Sequence, residues 1–450
     1  MTYNEAVESL LALGLELAAP RQARVQKFDL ENIRTLARHL GEPQETFPSV
    51  HIAGTNGKGS TAAMLEQILR EAGLKTGLYT SPHLERINER FRISGQEISD
   101  EEFARSFAAV HEWIERLLGS GQLAAHPTYF ECLTAMAFET FARQKVNLAV
   151  LEVGMGGRLD ATNIVKPEVS VITQIDYDHE DYLGHSIEQI AGEKAAIIKP
   201  AVTVVLATGR PRARVVAERR AAEIGAPVVE IDRDFRLENI RDADGRASAT
   251  AIHVESGERF ELTLALAGRY QLRNALAALA AARVLVRRGF PVTREAIERG
   301  LARAQWPGRL EKMGEGPALY LDGTHNPAGA RELIDFWDRH FSGRNILLIY
   351  GAMRDKAVDE ICGLLFPRAA RVILTEPRQS RAISVKALSA MTGHLAQELG
   401  AVADPAQAVK QALELARPDD VIFITGSLYL AGDLRPLLRE RARQASQPAP

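Results

Sequence analysis

A glycine-rich segment, His51 to Thr61, carries residue types that bind phosphate groups. It follows a short apolar run predicted to be a strand and opens a helical pattern. Backbone N–H groups of such a loop face one concavity, the helix N-terminus adds positive partial charge, and Lys58 can reach terminal phosphates. The Walker spacing is incomplete, because Ile52 stands where the first glycine belongs and Gly59 separates Lys58 from Ser60. The segment predicts a nucleoside triphosphate site, and the alternative is a strand-to-helix turn that binds nothing.

Glu152 is a candidate for binding a metal ion beside that loop. It ends the apolar run 148–151, and a second glycine cluster, Gly154 to Gly157, follows it. A dinucleotide-binding turn is rejected because Leu159 stands where a third glycine is needed for close helix packing. A carboxylate at the exposed end of a buried strand near phosphates is suited to hold Mg²⁺, directly or through water. Without a phosphate loop, Glu152 would be interpreted as an ordinary strand-end acid.

Two other predicted strand ends carry polar side chains that suit the same metal. The segment Asp176 to Asp181 contains four acids and His179. Oxygen and imidazole ligands at the carboxyl end of a parallel strand can form a metal loop, and a solvated acidic turn is the alternative. Ser81, in the segment Thr80 to His83, could add a hydroxyl ligand, or that segment could cap a helix before Leu84.

Lys194 and the segment Asp322 to Pro327 are the remaining polar candidates. Lys194 lies in a mostly apolar helical pattern, which indicates a lysine with a buried stem and an amine in water. Asp322 and His325 follow an apolar strand pattern, and such positions can contact a ligand across a domain cleft. The alternative is a turn, which accounts for the Asn-Pro pair but not for the Asp and His.

The elements that must position these residues are short β-branched runs alternating with helical patterns, which is typical of parallel sheets built from βαβ units. In the first part of the chain the predicted strands are 49–53, 76–80, 148–153, 169–175 and 203–207. Polar alternation and turn residues between Phe235 and Leu266 break the rhythm and predict a small antiparallel appendage. Two helical stretches, 270–288 and 293–303, follow it.

A second α/β unit is predicted after Trp306 to Gly308, since proline and glycine there can end a domain. Its predicted strands are 319–322, 346–350, 372–375 and 421–425. The fold class is therefore α/β in two parts. Residues 1–303 are predicted to form a domain with the phosphate loop, a parallel sheet and the antiparallel appendage, and 309–440 are predicted to form a smaller α/β domain. A chain of 450 residues suits two or three domains of roughly 150 residues each.

Composition excludes several classes of partner. The 55 basic and 58 acidic residues are mixed along the chain and give a formal charge of −3, so neither nucleic acid nor an anionic membrane is expected as a partner. Cys132 and Cys362 lack C-x-x-C spacing and are predicted to be small buried hydrophobes. Met1 to Glu8 lacks the basic flank of a signal peptide, and no apolar stretch reaches about 18 residues. We expect a cytoplasmic protein.

Taken together, these segments closely resemble the folylpolyglutamate synthase and dihydrofolate synthase family, a branch of the Mur ligase superfamily. The resemblance spans most of the chain, and the order and spacing of its motifs are specific in combination. The motifs are 54–60, 81–84, 128–131, 152–163, 178–184, 193–195, 270–274, 306–311 and 322–327. The family loop has the shortened pattern seen here, so the Walker departure supports the resemblance. Thr324 stands where alanine is usual and Ala196 where glycine is usual, and neither change removes a ligand.

The resemblance implies that the N-terminal part is a P-loop ATPase domain and that the C-terminal part is a smaller, Rossmann-like domain. It also implies a role for each motif. Ser81, Glu152 and His179 match the family's magnesium ligands. Lys194 matches its carbamylated lysine, and His325 matches an interdomain motif around the phosphates. The predicted catalytic residues are Lys58, Glu152, His179, Lys194 and His325. The positions that match nucleotide contacts are Thr55, Asn56, Gly57, Lys58, Gly59, Ser60, Asn274, Arg309 and Asp322. The pteroate-binding segments align with Asp29, Leu30, Thr128, Tyr129, Phe130, Glu131, Leu159, Asp160 and Ala161.

The activity implied by the resemblance is an ATP-dependent ligase that adds L-glutamate to reduced folates through an acyl phosphate, with Mg²⁺. The run Gly157 to Asn163 is similar to that of members that also use dihydropteroate, so both reactions are predicted. We expect a monomer. One alternative is a Mur-type ligase that adds an amino acid to a cell-wall precursor, against which Thr128 to Glu131 argues. Another is a nucleotide-dependent switch or binding module, but an Asn-Lys-x-Asp guanine motif is missing and the second domain would be surplus.

Overall fold

The phosphate loop follows a central strand of an eight-stranded sheet in the N-terminal part of the chain. The computed structural model describes residues 1–14, 29–354 and 356–445. The strands are β1 (Ser49–Ala53), β2 (Thr76–Tyr79), β3 (Phe91–Ile93), β4 (Gln96–Glu97), β5 (Leu148–Glu152), β6 (Val169–Ile172), β7 (Thr203–Leu206) and β8 (Val228–Glu230). Their order is β4-β3-β2-β5-β1-β6-β7-β8. Strands β2, β5, β1, β6, β7 and β8 pair in parallel, whereas β3 and β4 add an antiparallel edge.

Helices cover both faces of this sheet. They are α1 (Tyr3–Ala12), α2 (Glu31–His39), α3 (Lys58–Glu71), α4 (Asp100–Gly119), α5 (Tyr129–Arg143), α6 (Glu180–Leu183), α7 (Ile187–Ala195), α8 (Pro211–Glu223), α9 (Ile231–Asp234), α10 (Gln271–Arg287) and α11 (Arg294–Arg303). In β5, Leu148 and Val150 join one hydrophobic core, while Ala149 and Leu151 join a second core on the opposite face. This alternation explains why both kinds of position are apolar in a parallel sheet covered on two sides.

A three-stranded antiparallel sheet forms the predicted appendage. Its strands are β9 (Phe235–Ala243), β10 (Arg246–His253) and β11 (Arg259–Ala267), in the order β11-β10-β9. Phe260, Leu262 and Leu264 alternate with exposed residues along β11 and pack in the same core as α3 and α10. The period-two pattern therefore attaches the appendage to the N-terminal sheet by one apolar face.

The C-terminal part contains a six-stranded sheet. The strands are β12 (Glu311–Gly314), β13 (Ala318–Leu321), β14 (Ile346–Tyr350), β15 (Arg371–Leu374), β16 (Leu399–Ala401) and β17 (Val421–Thr425), in the order β12-β13-β17-β14-β15-β16. Only β12 is antiparallel to its neighbour. The helices are α12 (Pro327–His340), α13 (Val358–Leu365), α14 (Val385–Thr392), α15 (Pro405–Leu415) and α16 (Leu428–Ala445). Residues 304–310 connect the two sheets.

Two sets of side chains join the N-terminal and C-terminal parts in addition to that connection. Arg435 of α16 forms an ion pair with Glu85 of the N-terminal part. Within the C-terminal part, Glu311 of β12 pairs with the same guanidinium, at 2.9 Å between Nε and Oε2. On the appendage, His340 Nε2 of α12 lies 3.1 Å from Asp242 Oδ2. The neighbouring turn also meets α12, because a Cβ at Gly245 would lie 3.0 Å from the Phe336 ring. The two parts thus contact each other at separated points.

The predicted α/β class, the parallel N-terminal sheet, the appendage and the second α/β unit are confirmed. The hairpin β3-β4 and the short strands β8, β12 and β16 were not predicted. Cys132 and Cys362 are buried and free, as expected. Among the described helices none combines the length and the apolar composition needed to span a membrane. The domain ranges 1–303 and 309–440 remain predictions.

Candidate active site

A cavity of about 510 Å³ lies between the two sheets, at the carboxyl ends of β1, β2, β5, β6 and β13. All the predicted catalytic, metal-binding and nucleotide-binding residues line it. They are Thr55, Asn56, Gly57, Lys58, Gly59, Ser60, Ser81, Glu152, His179, Lys194, Asn274, Arg309, Asp322 and His325. The carboxyl ends of parallel strands meet at one edge of a sheet, so distant motifs converge there. The cleft expected between the two parts of the chain is therefore present.

The phosphate loop enters helix α3 through a left-handed glycine. Gly57 has φ +88° and precedes the first helical residue, Lys58. A Cβ at Gly57 would lie 2.3 Å from Asn274 Oδ1, so both the backbone conformation and the close approach of α10 require glycine. Lys58 Nζ donates to the carbonyls of Gly54 at 3.1 Å and Thr55 at 3.3 Å. The lysine is held folded over its own loop, where it can turn toward a bound phosphate.

Lys194 points into the same loop from α7. Its side chain is buried, and Nζ donates to the Gly54 carbonyl at 2.9 Å. The interpretation of Lys194 as a lysine with its amine in water is therefore wrong. Burial, reinforced by the positive charge of Lys58, lowers the pKa of Lys194 to about 7. Its amine is partly neutral near neutral pH.

Glu152, Ser81 and His179 surround the space next to Lys58. Glu152 is 4% exposed, and its Oε2 accepts the Ser81 backbone N–H at 3.2 Å. Burial raises its pKa to about 7, against the opposing effect of the Lys58 charge. Burial also lowers the pKa of His179 to about 4, helped by the positive charge of Lys356. The site thus holds a poorly satisfied carboxylate and a neutral imidazole.

The segment Ser81 to Arg86 does not form the helix cap considered as an alternative. Instead, the Glu89 carboxylate accepts backbone N–H groups of Leu84, Glu85 and Arg86 at 2.7 to 2.8 Å. The short helical turn that follows starts at Ile87. Ser81 lies at the cavity wall.

Asp178 connects the two parts of the chain across the cavity. Lys356 Nζ lies 2.8 Å from its Oδ1, and each of these two side chains is 10% exposed. His325 Nε2 lies 3.6 Å from Oδ2, and Asn326 Nδ2 donates to Oδ2 at 3.3 Å. Burial alone would raise the pKa of Asp178, but the His325 hydrogen bond and the Lys356 charge hold it well below its usual range.

Asn326 also pairs with the phosphate loop. Its amide and that of Asn56 exchange two hydrogen bonds, of 2.8 and 3.1 Å. The sequence explained Asn326 only as a turn residue and did not single out Lys356. Lys356 follows β14 at the same sheet edge as Asp322, which is the signal that would have indicated it.

Asp322 and Arg309 line the cavity from the C-terminal side, and Asn274 lines it next to the phosphate loop. The buried Asp322 carboxylate accepts the N–H groups of Leu310 and Thr324, each at 2.9 Å. Asn274 donates to Gln271 Oε1 at 2.8 Å. Arg309 is partly exposed to the cavity. Asp322 therefore organises backbone around the site, while Arg309 is available to an anion.

The predicted pteroate-binding residues form a second group, beside the cavity. Among the described residues that line the cavity, none belongs to this group. Thr128 and Glu131 form a capping box at the start of α5, and Phe130 packs against the cavity residue Gly154. The buried Asp160 accepts N–H groups of Met155 at 2.9 Å and Thr162 at 3.0 Å. Other members of the group are Leu30, Tyr129 and Ala161 in the core around α5, exposed Leu159 and exposed Asp29.

A phosphate loop that faces a second α/β unit across a cleft is typical of a nucleotide-using enzyme built in two parts, and family models specify its class. The model described as Mur ligase middle domain matches residues 52–282, and the model described as Mur ligase, glutamate ligase domain matches residues 308–428. The architecture and the two models agree on a ligase of the Mur ligase superfamily.

Individual relatives narrow the family. A folylpolyglutamate synthase of Lacticaseibacillus casei is 36% identical over 440 residues, covering 97% of this chain and 99% of the relative. A dihydrofolate synthase/folylpolyglutamate synthase of Bacillus subtilis is 34% identical over 415 residues, covering 91% of this chain and 95% of the relative. The crystal structure of Mycobacterium tuberculosis folylpolyglutamate synthase complexed with ADP and AMPPCP matches with TM-score 0.86 and 34% identity, covering 96% of this chain and 99% of that one. This chain belongs to the folylpolyglutamate synthase and dihydrofolate synthase family. It spans about half the length of a Haloferax volcanii relative named a probable bifunctional folylpolyglutamate synthase/dihydropteroate synthase.

Proposed function

We propose that the protein is an ATP-dependent ligase that joins L-glutamate to dihydropteroate and to reduced folates. The observation that carries this proposal is the cavity lined by the loop of Lys58, by Asp178 and by His325, in which Asp178 is paired with Lys356. Such a cleft holds a nucleotide on one side and leaves room for an acid and an amine on the other. Membership of the folylpolyglutamate synthase and dihydrofolate synthase family supports dihydropteroate and reduced folates as the acids.

Amide formation from a carboxylate requires a better leaving group than oxide. An oxygen of the substrate carboxylate attacks the γ-phosphorus of ATP, the bond to ADP breaks, and an acyl phosphate forms. The glutamate amine then attacks the acyl carbon, loses a proton and expels phosphate. Lys58 and the loop N–H groups can stabilise the charge on the transferring phosphoryl group by position and electrostatics alone. Closure of the cavity excludes the water that would hydrolyse the acyl phosphate.

The residues around Glu152 fit a hard divalent cation such as Mg²⁺. Among the described residues, no three His, Cys, Asp or Glu side chains are grouped so that they could hold an ion by themselves. The proposed ligand set is completed by the Ser81 hydroxyl and by nucleotide phosphates. The buried Glu152 carboxylate accepts the Ser81 N–H on Oε2, and His179 is neutral, so both retain free ligand atoms. When bound, Mg²⁺ would offset charge on the phosphates. Glu152, His179 and Ser81 are the residues proposed to hold it.

Lys194 is proposed to carry a carbamate. Carbamate formation requires a neutral amine, and burial beside Lys58 lowers the Lys194 pKa to about 7. The modified side chain would be an anion, which compensates the charge of Lys58 and can order the metal site. Mass spectrometry of the native protein in bicarbonate buffer should show a gain of one CO₂, and its absence in a Lys194→Met variant locates it.

The acid is proposed to bind beside the cavity, between the segments Asp29-Leu30, Thr128 to Glu131 and Leu159 to Ala161. Phe130 and Leu159 offer apolar surface for a pterin ring, since Leu159 is 42% exposed and Phe130 is partly exposed. Asp160 and Glu131 are committed to backbone N–H groups, which supports a role in shaping the site. A monomer located in the cytoplasm is part of the same proposal.

The test is ADP release with ATP, Mg²⁺ and L-glutamate, in the presence of either dihydropteroate or a reduced folate monoglutamate. Turnover with both substrates establishes the two reactions, and turnover with the folate alone limits the enzyme to polyglutamylation. Turnover with neither, but with a nucleotide-sugar acid and an amino acid, would favour the Mur-type cell-wall ligase. Lys58→Ala must abolish turnover, and full activity of that variant would contradict the mechanism.

A further inference from the structure

Trp306 occupies the place of a side chain at Gly59 in the phosphate loop. A Cβ at Gly59 would lie 2.8 Å from the indole Nε1 and 2.9 Å from Cζ2. Gly59 is the residue that separates Lys58 from Ser60 and makes the loop depart from the Walker spacing. The indole therefore accounts for a glycine at this position, because any side chain would displace either the ring or the loop.

The indole also contacts the N-terminal sheet. The guanidinium of Arg92, on β3, lies 5.6 Å from the ring centroid, in the range of a cation–π contact. Arg92 is itself paired with Glu97 at 3.5 Å. The ring also packs, partly buried, against the hydrophobic core that contains α3. Trp306 is thus fixed within the N-terminal part.

The chain leaves this anchor directly toward the C-terminal part. Pro307 restricts the backbone after Trp306, and the Gly308 carbonyl accepts the Gly323 N–H at 2.8 Å. The next residue, Arg309, lines the cavity. Two residues therefore separate the indole packed on the phosphate loop from a guanidinium at the site. One of them, Gly308, makes a hydrogen bond to the C-terminal part.

We propose that Trp306 is a positioning residue that couples the geometry of the phosphate loop to the segment connecting the two parts of the chain. A loop displaced by bound phosphates presses on the indole, and the indole moves the connection that carries Arg309. The inference rests on the proposed function only in taking ATP as the nucleotide. Nucleotide affinity can be measured without turnover, so failure of one proposal is distinguishable from failure of the other.

Kinetics of Trp306→Phe and Trp306→Ala test the role. Trp306→Ala should raise KM for ATP on the order of tenfold, equivalent to about 1.4 kcal/mol, and weaken ADP binding by a similar factor in calorimetry. KM for L-glutamate and for the folate should change less than twofold, and Trp306→Phe should recover most of the loss. Trp113→Phe, a partly buried tryptophan of α4, is the matched control and should leave all these constants unchanged. An unchanged ADP affinity in a folded Trp306→Ala protein would overturn the proposal.

A double substitution separates coupling from general damage. Gly59→Ala should weaken ADP binding by displacing the indole, and adding Trp306→Ala should restore part of that affinity, because the room for the methyl group is then available. Losses that add for the two substitutions would show independent effects and contradict the contact. In a Trp113→Phe, Trp337→Phe background, which leaves Trp306 as the remaining one of three tryptophans, ADP should change the fluorescence. A silent spectrum despite ADP binding would also count against the proposal.

Discussion

Replacement of Lys194 by methionine should stabilise the protein, and the gain should depend on pH. The buried amine has a pKa lowered from 10.5 to about 7 by burial and by Lys58. A lysine that is protonated when unfolded and neutral when folded costs about 1.4 kcal/mol for each unit between the two pKa values. The cost is fully present below pH 7, reaches roughly 5 kcal/mol there as an upper value, and disappears as pH rises toward 10.5.

The sign of the stability difference between the two proteins, and its slope with pH, can be measured by urea unfolding in CO₂-free buffer with circular dichroism as the probe. The unfolding free energy of Lys194→Met minus that of the unchanged protein should be positive at pH 7. It should shrink by about 2 to 3 kcal/mol between pH 7 and pH 9, since the unfolded lysine becomes easier to deprotonate. Other titrating groups are common to both proteins and cancel in the difference.

Two outcomes would decide the reasoning about Lys194. A difference that stays constant between pH 7 and pH 9 would refute a neutral buried amine. Bicarbonate should lower the difference at each pH, because a carbamate that forms only on the folded protein stabilises the unchanged chain. The fall in the difference between pH 7 and pH 9 should remain, since the unfolded ammonium still carries a proton that the carbamate lacks. The same substitution should reduce ligase turnover, so stability and activity are expected to change in opposite directions.

Three further predictions concern other parts of the molecule. Gly57→Ala should raise KM for ATP in steady-state kinetics. It should also lower the unfolding free energy measured in urea by at least about 1 to 2 kcal/mol, which is the cost of a left-handed alanine. An unaltered KM would show that the backbone of this turn can relax. Thr128→Ala, which removes the cap of α5, should cost about 1 kcal/mol of unfolding free energy, while Ser120→Ala, at the end of α4, serves as a control of smaller effect. Asp178→Asn should lower turnover at saturating ATP because it leaves the buried amine of Lys356 without its carboxylate, and ADP release equal to that of the unchanged protein would contradict a role for this bridge.

Local patterns were sufficient to predict the parts of the site that follow strands. The phosphate loop and Glu152 were recognisable because a strand end, glycine spacing and charge coincide within a few residues. The burial of Lys194 was not, since it depends on packing against Gly54, a residue 140 positions earlier. Lys356 was missed for the same reason, because its partner Asp178 is 178 positions away.

Short or edge elements were also beyond the sequence patterns. Strand β16 has three residues, of which Leu399 and Ala401 are exposed, so it lacks the apolar signal of a buried strand. Strand β4 has two exposed residues and exists only through pairing with β3. The appendage was predictable because its alternation is longer and clear, although its contact with α12 was not.

The contacts at Asp242–His340 and at Arg435–Glu85 constrain how the cavity can open. The two parts are also joined by the chain connection and, across the cavity, by the pairs of Asp178 with Lys356 and of Asn326 with Asn56. Opening the cleft at either edge therefore requires that the contact at that edge break. The Asp242–His340 and Arg435–Glu85 pairs are single polar contacts, and the loss of either one costs on the order of 1 kcal/mol. The cleft can therefore open by the loss of one edge contact at a time. The contact that breaks determines which side of the cleft opens to solvent.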